Sequence, residues 1–404
     1  MSIILERPGI TEKERELRSE LVQRATDLIP LLQKNAAKAD EDRRLPDENI
    51  KAIQDADLFR MLQPKRFGGM ETDFRTKLEV IRELGRGCGS TSWTVNLLTD
   101  SAWLVGMWNE QAQNDVWGSS PDAKIAGVFP PGGTGTPVDG GYRVTGRWAY
   151  CSGCLHADWI LLGIPPHDGD GTITDPGLVL IPATELTIED TWFVAGMRGT
   201  GSNTVIAEDV FVPAHRFVSM AKLMSGQTDT PYKDEIPFRA ALLPTPVLTL
   251  AAPQLGMAKA ALDLVTEKAA TRGISYTFYE TQAQAPSVQL ALAKAASLAE
   301  TAELLAYHAA ADIDHLAHQG IFPDYHARAR IRMDAVQAIV YAREAIRELV
   351  SIHGASSFAD SSPLQRILRD SEIGSRHAAV NPAIGAEIYG RSLLGITEGV
   401  SPLA

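Results

Sequence analysis

The sequence has few cysteines, no excess of positive charge and no long apolar run, and each shortage excludes a class of protein. Three cysteines in 404 residues cannot build a disulfide framework, which fits a reducing compartment. A formal net charge of −12 would repel nucleic acid and anionic lipid, so neither is an expected partner. No apolar run approaches the roughly 20 residues that a membrane-spanning helix needs. The first residues carry charges where a signal peptide has its apolar core, so we expect a cytoplasmic protein.

Three common catalytic motifs are also missing. The chain contains no G-x-G-x-x-G, and it lacks the alternation of strands with helices that is typical of a dinucleotide-binding fold. The glycine-rich stretches at 132–135 and 196–202 lie among predicted strands and do not match a P-loop. No G-x-S-x-G elbow of a hydrolase is present. These absences disfavour the usual nicotinamide-binding fold, a P-loop protein and a hydrolase triad of the α/β type.

The hydrophobic pattern divides the chain into three regions. Residues 1–118 carry apolar residues at helical spacing, and Thr11 with Glu14 forms a predicted capping box at the start of the first helix. Residues 119–236 change to short β-rich runs separated by Gly, Pro and Asp. Residues 237–404 hold four predicted long helices, whose small residues allow close packing. We expect an α+β, mostly helical fold: an N-terminal helical domain, a central antiparallel β-barrel or sandwich, and a C-terminal four-helix bundle.

The segment YCSGCLHADW, at 150–159, contains a C-x-x-C followed by a histidine. A redox pair of the thioredoxin type opens a helix, whereas the flanks of this segment stay β-like on both sides. No second cysteine pair is present to complete a four-ligand zinc site, although Cys151, Cys154 and His156 could form a three-ligand one. We therefore expect no metal here and no chemical role for the two cysteines.

Five strings follow one another along the chain: LFRMLQPKRFGG at 58–69, GSTSW at 89–93, GYRVTGRWAYCSGCLHADW at 141–159, GMRGTGSNT at 196–204, and PLQRILRD at 363–370 with His377 beyond it. In this order, with helical regions on either side of the β region, they resemble the acyl-CoA dehydrogenase fold superfamily. Within it the chain is most similar to the group D flavin-dependent monooxygenases, the oxygenase components of two-component systems. The resemblance spans nearly the whole chain.

The resemblance implies an activity as well as a fold. A separate NAD(P)H:flavin reductase would supply reduced flavin, FMNH2 or FADH2, and the chain would hydroxylate an aromatic small molecule with O2 through a flavin C4a-hydroperoxide. An acyl-CoA dehydrogenase-like flavoenzyme, or an N- or S-oxygenase on the same scaffold, is the alternative. A helical scaffold protein without chemistry is a further one.

The resemblance also implies which residues contact the flavin. The W-x-Y-x-S-G strand would lie against the flavin ring, so Trp148 and Ser152 are expected cofactor contacts. Ser152 is also expected to be catalytic, by donating a hydrogen bond to the flavin or its peroxide. Gly127, Val128 and Phe129 on the preceding strand are expected around the ring.

The last helical region bears on the choice between dehydrogenase and oxygenase. Many acyl-CoA dehydrogenases carry a catalytic glutamate eight residues after an Arg-Asp pair, but here Arg369-Asp370 leads to Ala378. Abstraction of an α-proton from a thioester then has no agent at that point. His377 stands where the monooxygenases carry an active-site histidine, and we predict it on roughly the same helix face as Asp370. Its imidazole can take or give a proton near neutral pH, so His377 is expected to be catalytic and to contact substrate.

Three other residues are expected to face the substrate, namely Ser101, Trp192 and Met197. Many phenol-hydroxylating members carry a second histidine on the helix after Trp93, where this chain has Ser101. A hydroxyl is a poor general base near pH 7, so indole-like, polycyclic or polyketide substrates are expected beside phenols.

The remaining expected cofactor contacts would cross between subunits. Arg272 follows the first bundle helix and is expected to reach the flavin phosphate of a neighbouring subunit, because a guanidinium fork suits phosphate. Gly354 and Phe358, in HGASSFADSSP at 353–363, are expected near the cofactor of a partner chain. Both implications favour a homotetramer assembled through the bundles.

Overall fold

A computed structural model describes residues 6–166, 173–397 and 399–401 of the chain. Its first part is helical, as the periodicity predicts. The capping box is confirmed, because Thr11 Oγ1 accepts from the Glu14 amide while the Glu14 carboxylate accepts from the Thr11 amide. The helices of this part are α1 Glu12–Asp42, α2 Asp47–Asp55, α3 Phe74–Gly87, α4 Gly89–Gly106 and α5 Glu110–Trp117.

The middle of the chain forms two sheets, each of four strands in the described residues. One has the order β1-β4-β5-β8 and the other β2-β3-β7-β6. The expected antiparallel pairing holds for every neighbouring pair except β1 and β4, which run parallel with Gly127 opposite Leu161. The strands are β1 Ile125–Pro131, β2 Gly133–Val138, β3 Gly141–Cys151, β4 Trp159–Ile164, β5 Gly177–Pro182, β6 Thr187–Glu189, β7 Asn203–Pro213 and β8 Phe217–Ser219.

The end of β3 departs from a regular strand. Its alternation predicts Tyr142, Val144, Trp148 and Tyr150 on one face, and the structure buries Val144 and Trp148 fully and Tyr142 in part. Between Trp148 and Cys151 the pairing with β7 shifts, and Tyr150 adopts a φ of 65°. This bulge turns the Tyr150 side chain outward, so that 73% of its surface is exposed. The bulge also redirects the chain into the turn that carries Ser152.

The C-terminal part is helical again, but its predicted fourth helix is broken. The run from Pro363 contains α11, a short 3₁₀ turn at Ala378–Val380, and α12, because Asn381-Pro382 starts a new helix with the Asn381 side chain as its cap. The helices are α6 Met220–Met224 and α7 Thr245–Thr249, which are short, then α8 Ala251–Ala269, α9 Pro286–Gln319, α10 Tyr325–His353, α11 Pro363–Gly374 and α12 Pro382–Leu393.

The expected mostly helical fold with a central β region is therefore confirmed, while the domain limits at 118/119 and 236/237 stay predictions. Helix α4 lies at the centre of the molecule, packed against α3, α8 and β1. Across Gly89–Gly106 every residue except Leu97 is buried. Among the described helices none combines the length and the apolar character that a membrane crossing requires.

Candidate active site

Ser152 lies in the tight turn that follows β3, pressed against α4. Only 6% of its surface is exposed. The next residue, Gly153, has a φ of 77°, and a Cβ there would come within 3.0 Å of Thr94 Cγ2 and 3.1 Å of Leu98 Cδ2. Both the left-handed backbone and the close approach require glycine. The S-G pair of the sequence string thus fixes the serine directly above the central helix.

Trp93 on α4 joins the two residues that the sequence predicts to be catalytic. Its indole Nε1 donates to Ser152 Oγ at 3.3 Å. On its other side the Trp93 ring lies 5.9 Å from the His377 ring, centroid to centroid, with the planes tilted by 58°. Ser152 and His377 come from distant parts of the chain and meet through one buried side chain. The sequence pattern includes Trp93 within GSTSW but gives it no role.

His377 does not lie on the helix that carries Asp370, so the predicted shared helix face is wrong. Helix α11 ends at Gly374, and His377 precedes the following 3₁₀ turn with an extended ψ of 137°. Its Nδ1 accepts from the Ala379 amide at 3.3 Å, which leaves Nε2 as the outward nitrogen. The side chain is exposed, yet the protein around it lowers the pKa of the imidazole below 6.5 by desolvation. His377 thus lies at the surface with the Trp93 ring beside it.

A chain of short hydrogen bonds leads from Ser152 into the loop before β7. Ser152 Oγ lies 2.7 Å from Ser202 Oγ, and Ser202 Oγ lies 2.6 Å from Thr200 Oγ1. Thr200 Oγ1 lies 2.8 Å from the carbonyl oxygen of Met197, which also accepts from Trp192 Nε1 at 2.9 Å. Two expected substrate contacts, Trp192 and Met197, therefore belong to the network that holds Ser152.

Asp370 anchors the far end of this network. Its carboxylate accepts from the Met197 amide at 2.5 Å. Burial raises the pKa of Asp370 from 3.8 to about 7, with Asp40 adding to the shift, while the Met197 amide, Arg369 and Arg366 oppose it. In either protonation state the carboxyl group keeps an oxygen that can accept from the Met197 amide.

A second part of the candidate site lies two turns further along α4. Trp93, Leu97 and Ser101 follow at intervals of four and share one helix face. A Cβ placed on Gly127 would stand 3.2 Å from Ser101 Oγ and 3.2 Å from Phe129 Cε1, so this glycine lets β1 approach α4 closely beside Ser101. The structure thus brings the predicted substrate contact Ser101 together with two predicted flavin contacts. Leu97 was missed, although its position between Trp93 and Ser101 could have indicated it.

The other predicted contacts on the β region differ in exposure. Val128 is partly exposed next to Gly127, whereas Trp148 is fully buried and its Nε1 donates to the Gly163 carbonyl at 2.8 Å. Trp192 is also buried, with Tyr150 edge-on to its ring at 5.7 Å. Trp148 is therefore held in the interior of the sheets, and its contact with a flavin stays a prediction.

Arg272, Gly354 and Phe358 form a separate group at the ends of α8 and α10. Gln282 ties the two ends together, because its amide donates to the Arg272 carbonyl at 2.6 Å and its side chain to the Ile352 carbonyl at 2.9 Å. The pKa of the neighbouring His353 is lowered by burial and by the charge of Arg272. Phe358 is exposed. The predicted roles of these three residues towards a partner subunit stay predictions.

The cysteines Cys151 and Cys154 flank Ser152 in the sequence. All three cysteines of the chain are free and buried, and the Cys154 thiol donates to the Gly201 carbonyl at 3.5 Å. Its hydrogen bond with Cys151 raises the pKa of the Cys151 thiol. Burial lowers the pKa of His156 to about 4. In the part of the chain that the structure describes, no group of three or more His, Cys, Asp or Glu side chains could hold a metal ion.

The region between α4, β1 and the Ser152 turn, called the cleft below, carries residue types that suit a flavin. A flavin ring needs a flat apolar slot with hydrogen-bonding groups at its polar edge. Leu97, Val128 and Phe129 are partly exposed here and offer apolar surface, and Gly127 adds no side chain between Ser101 and Phe129. Ser152 and His377, on either side of Trp93, supply the hydrogen-bonding groups.

The chain is similar to proteins of known activity over nearly its full length. Residues 11–118 match the family described as "Acyl-CoA dehydrogenase, N-terminal domain", and residues 248–382 match "Acyl-CoA dehydrogenase, C-terminal domain". The oxygenase subunit HsaA of a flavin-dependent monooxygenase from Rhodococcus jostii (strain RHA1) is 37% identical, covering 93% of this chain and 98% of that protein. The oxygenase component of an FADH(2)-dependent resorcinol hydroxylase from Rhizobium sp. (strain MTP-10005) is 33% identical, with 93% and 94% covered.

A solved structure extends this likeness to three dimensions. XiaF from Streptomyces sp., determined in complex with FADH2 and glycerol, superposes with a TM-score of 0.92 at 38% identity, covering 96% of this chain and 98% of that one. Fold and family matches thus define a flavoenzyme of the acyl-CoA dehydrogenase type. Within that class, the chain belongs to the family of flavin-dependent monooxygenases that act as oxygenase components of two-component systems.

Proposed function

We propose that this protein hydroxylates an aromatic small molecule, phenolic, indolic or polycyclic, with reduced flavin and O2. The observation that carries the proposal is the convergence of Ser152 and His377 on Trp93, next to the partly exposed Leu97 and Phe129. The relatives support it, since their names describe oxygenase components and one of them a resorcinol hydroxylase. A separate NAD(P)H:flavin reductase would deliver the flavin.

Each residue of the cleft has a task in this reaction. Reduced flavin, when bound, supplies the electrons that activate O2. Ser152 offers its hydroxyl to the polar edge of the ring. Desolvation lowers the pKa of His377 and so favours the neutral imidazole, which can accept the proton that a phenolic or indolic substrate releases. Leu97 and Phe129 present apolar surface that excludes water from the reacting atoms.

The residue after His377 argues against a dehydrogenase. Ala378 occupies the position where many acyl-CoA dehydrogenases carry their base, and a methyl group cannot remove the α-proton of a thioester. The proton-transfer group that the cleft does offer is an imidazole, which suits an O–H or N–H proton better than a C–H proton.

A homotetramer is the proposed assembly. The segment between α8 and α9 carries Tyr276 and Phe278 with fully exposed rings, next to the group of Arg272, Gly354 and Phe358. Exposed aromatic surface of this kind is typical of an interface between subunits. A guanidinium at such an interface would reach the phosphate of a flavin bound by the neighbouring chain.

Rapid mixing tests the function. Purified protein is mixed with photoreduced FAD or FMN, oxygenated buffer and a phenol, and the absorbance is followed for a transient distinct from reduced and oxidised flavin. His377→Asn should lower the hydroxylation rate about 10²- to 10⁴-fold, the usual worth of a general base. His315→Asn on α9 is the matched control and should leave the rate unchanged. Wild-type protein that neither binds flavin nor delays its reoxidation would refute the proposed function.

A further inference from the structure

The hydrogen bonds around Ser152 can run in two directions. Three hydroxyl groups, of Ser152, Ser202 and Thr200, supply three hydrogens, and the Met197 carbonyl ends the chain as an acceptor. Trp93 Nε1 can only donate, so Ser152 Oγ always accepts from it. The direction in which the three hydroxyl groups donate therefore depends on whether the group that faces Ser152 from the cleft is a donor or an acceptor.

In the first arrangement every hydroxyl donates away from the cleft. Thr200 donates to the Met197 carbonyl, Ser202 to Thr200, and Ser152 to Ser202. All three hydrogen bonds are made, and Ser152 then presents only a lone pair to the cleft. A ligand atom that carries a hydrogen finds an acceptor there.

In the second arrangement every hydroxyl is reversed. Thr200 donates to Ser202, Ser202 to Ser152, and Ser152 into the cleft. The hydrogen bond from Thr200 to the Met197 carbonyl is then broken, but that oxygen keeps the bond from Trp192 Nε1 at 2.9 Å. Each polar group of the network therefore still has a partner after the reversal, which makes the reversal inexpensive.

We propose that Thr200 and Ser202 are positioning residues that let Ser152 switch between hydrogen-bond acceptor and donor as the flavin edge changes. The inference rests on the proposed function, because it needs a flavin against Ser152. Reduced flavin carries an N–H at its reactive edge, whereas oxidised flavin presents a bare nitrogen that only accepts. Ser152 accepts from the reduced form and donates to the oxidised form. In the first case Ser152 donates to Ser202, and in the second it accepts from Ser202.

The surroundings fix the oxygen positions and leave only the hydrogens free to move. Ser152, Ser202 and Thr200 are all deeply buried, with exposures of 6%, 3% and 2%. Asp370 accepts from the Met197 amide at 2.5 Å and Trp192 Nε1 donates to the Met197 carbonyl at 2.9 Å, so the residue at the end of the chain is held on both of its peptide groups. Rotation about each C–O bond is then the remaining freedom, and it is coupled from one hydroxyl to the next.

Thr200→Val removes one end of the switch. Valine can neither accept from Ser202 nor donate to it, so Ser202 must donate to Ser152, and Ser152 becomes a permanent donor. Binding of oxidised flavin should then gain relative to reduced flavin. We expect the ratio of the two dissociation constants, reduced over oxidised, to rise about fivefold, the worth of one neutral hydrogen bond. Ser202→Ala interrupts the same chain and should shift the ratio in the same direction, which covers the case in which Thr200→Val fails to fold.

The measurement is anaerobic titration of full-length protein with oxidised and with dithionite-reduced FAD, followed by fluorescence. Thr204→Val is the matched control. Thr204 lies two residues after Ser202, but its Oγ1 pairs with Thr191 Oγ1 at 2.9 Å and takes no part in the hydrogen bonds that lead to Ser152. Thr200→Ser should restore the wild-type ratio. An unchanged ratio in both Thr200→Val and Ser202→Ala, or an equal shift in Thr204→Val, would overturn the inference while the proposed function stands. Wild-type protein that binds neither form of flavin would refute both.

Discussion

Replacing Asp370 by asparagine tests the most perturbed carboxyl group near the site. Asparagine keeps an oxygen that accepts from the Met197 amide and cannot ionise. In the folded wild type the carboxyl has a pKa of about 7 against an ordinary value of 3.8. The folded protein therefore binds more protons than the unfolded chain between about pH 4 and pH 7. Its stability falls as the pH rises through that window.

The size of the effect follows from the shift. About three pKa units at about 1.4 kcal/mol each give an upper limit of about 4 kcal/mol. Asp370→Asn escapes this loss. It should match the wild type near pH 4 and exceed its stability by up to about 4 kcal/mol at pH 8. Flavin binding should persist, because the Met197 amide keeps its acceptor.

Urea unfolding between pH 4 and pH 8 gives the free energy of unfolding of both proteins at one protein concentration. The difference between the two curves removes the contribution of other titrating groups. Glu300→Gln, at an exposed carboxylate on α9, is the control and should run parallel to the wild type. Parallel curves for Asp370→Asn and wild type would show that Asp370 ionises normally, and the reasoning from its burial would be wrong.

Two further predictions concern the position of α4. Lys77→Met leaves Asp100 buried without its ion-pair partner and should lower the free energy of unfolding by about 3–5 kcal/mol. The double variant Lys77→Met/Asp100→Leu removes the unpaired carboxylate and should regain much of that loss. Urea unfolding measures both variants. Gly374→Ala would bring a Cβ within 2.7 Å of Gln254 Nε2 and 3.2 Å of Trp93 Cζ3, so it should shift the tryptophan fluorescence and cost about 1–3 kcal/mol. A Cβ added at Gly390 would meet nothing within 4 Å, so Gly390→Ala should not lower the free energy of unfolding. An equal decrease in both variants would contradict the packing argument.

The fold could be predicted from local pattern because hydrophobic period and turn residues act over a few residues. The capping box at Thr11 and the change from helical to β period in the middle of the chain are of this kind. The parallel pairing of β1 with β4 could not be predicted in this way, because β2 and β3 lie between the two strands in the sequence and no local pattern spans that distance. The outward turn of Tyr150 was missed for a similar reason, because a bulge depends on the partner strand.

The candidate site was only partly predictable. Ser152 and His377 were identified by resemblance, and the structure brings them to the same tryptophan. The error for His377 came from extending α11 past Gly374, where the chain leaves the helix. Thr200 and Ser202 lie inside the string GMRGTGSNT, which gives them no role, since only the fold reveals that their hydroxyls point at Ser152.

The polar side chains of α4 explain how the site is held. A helix buried on nearly all sides must find partners for its hydroxyl and carboxyl groups inside the chain. Ser92 Oγ donates to a carbonyl of α3 at 2.6 Å, and Asp100 pairs with Lys77. These bonds select one rotation of α4 about its axis, and that rotation decides whether Trp93 and Leu97 face the cleft. Apolar side chains alone could pack in several rotations, because Leu, Val and Ala tolerate exchange in a core. The buried polar contacts of α4 therefore position the site without touching a ligand.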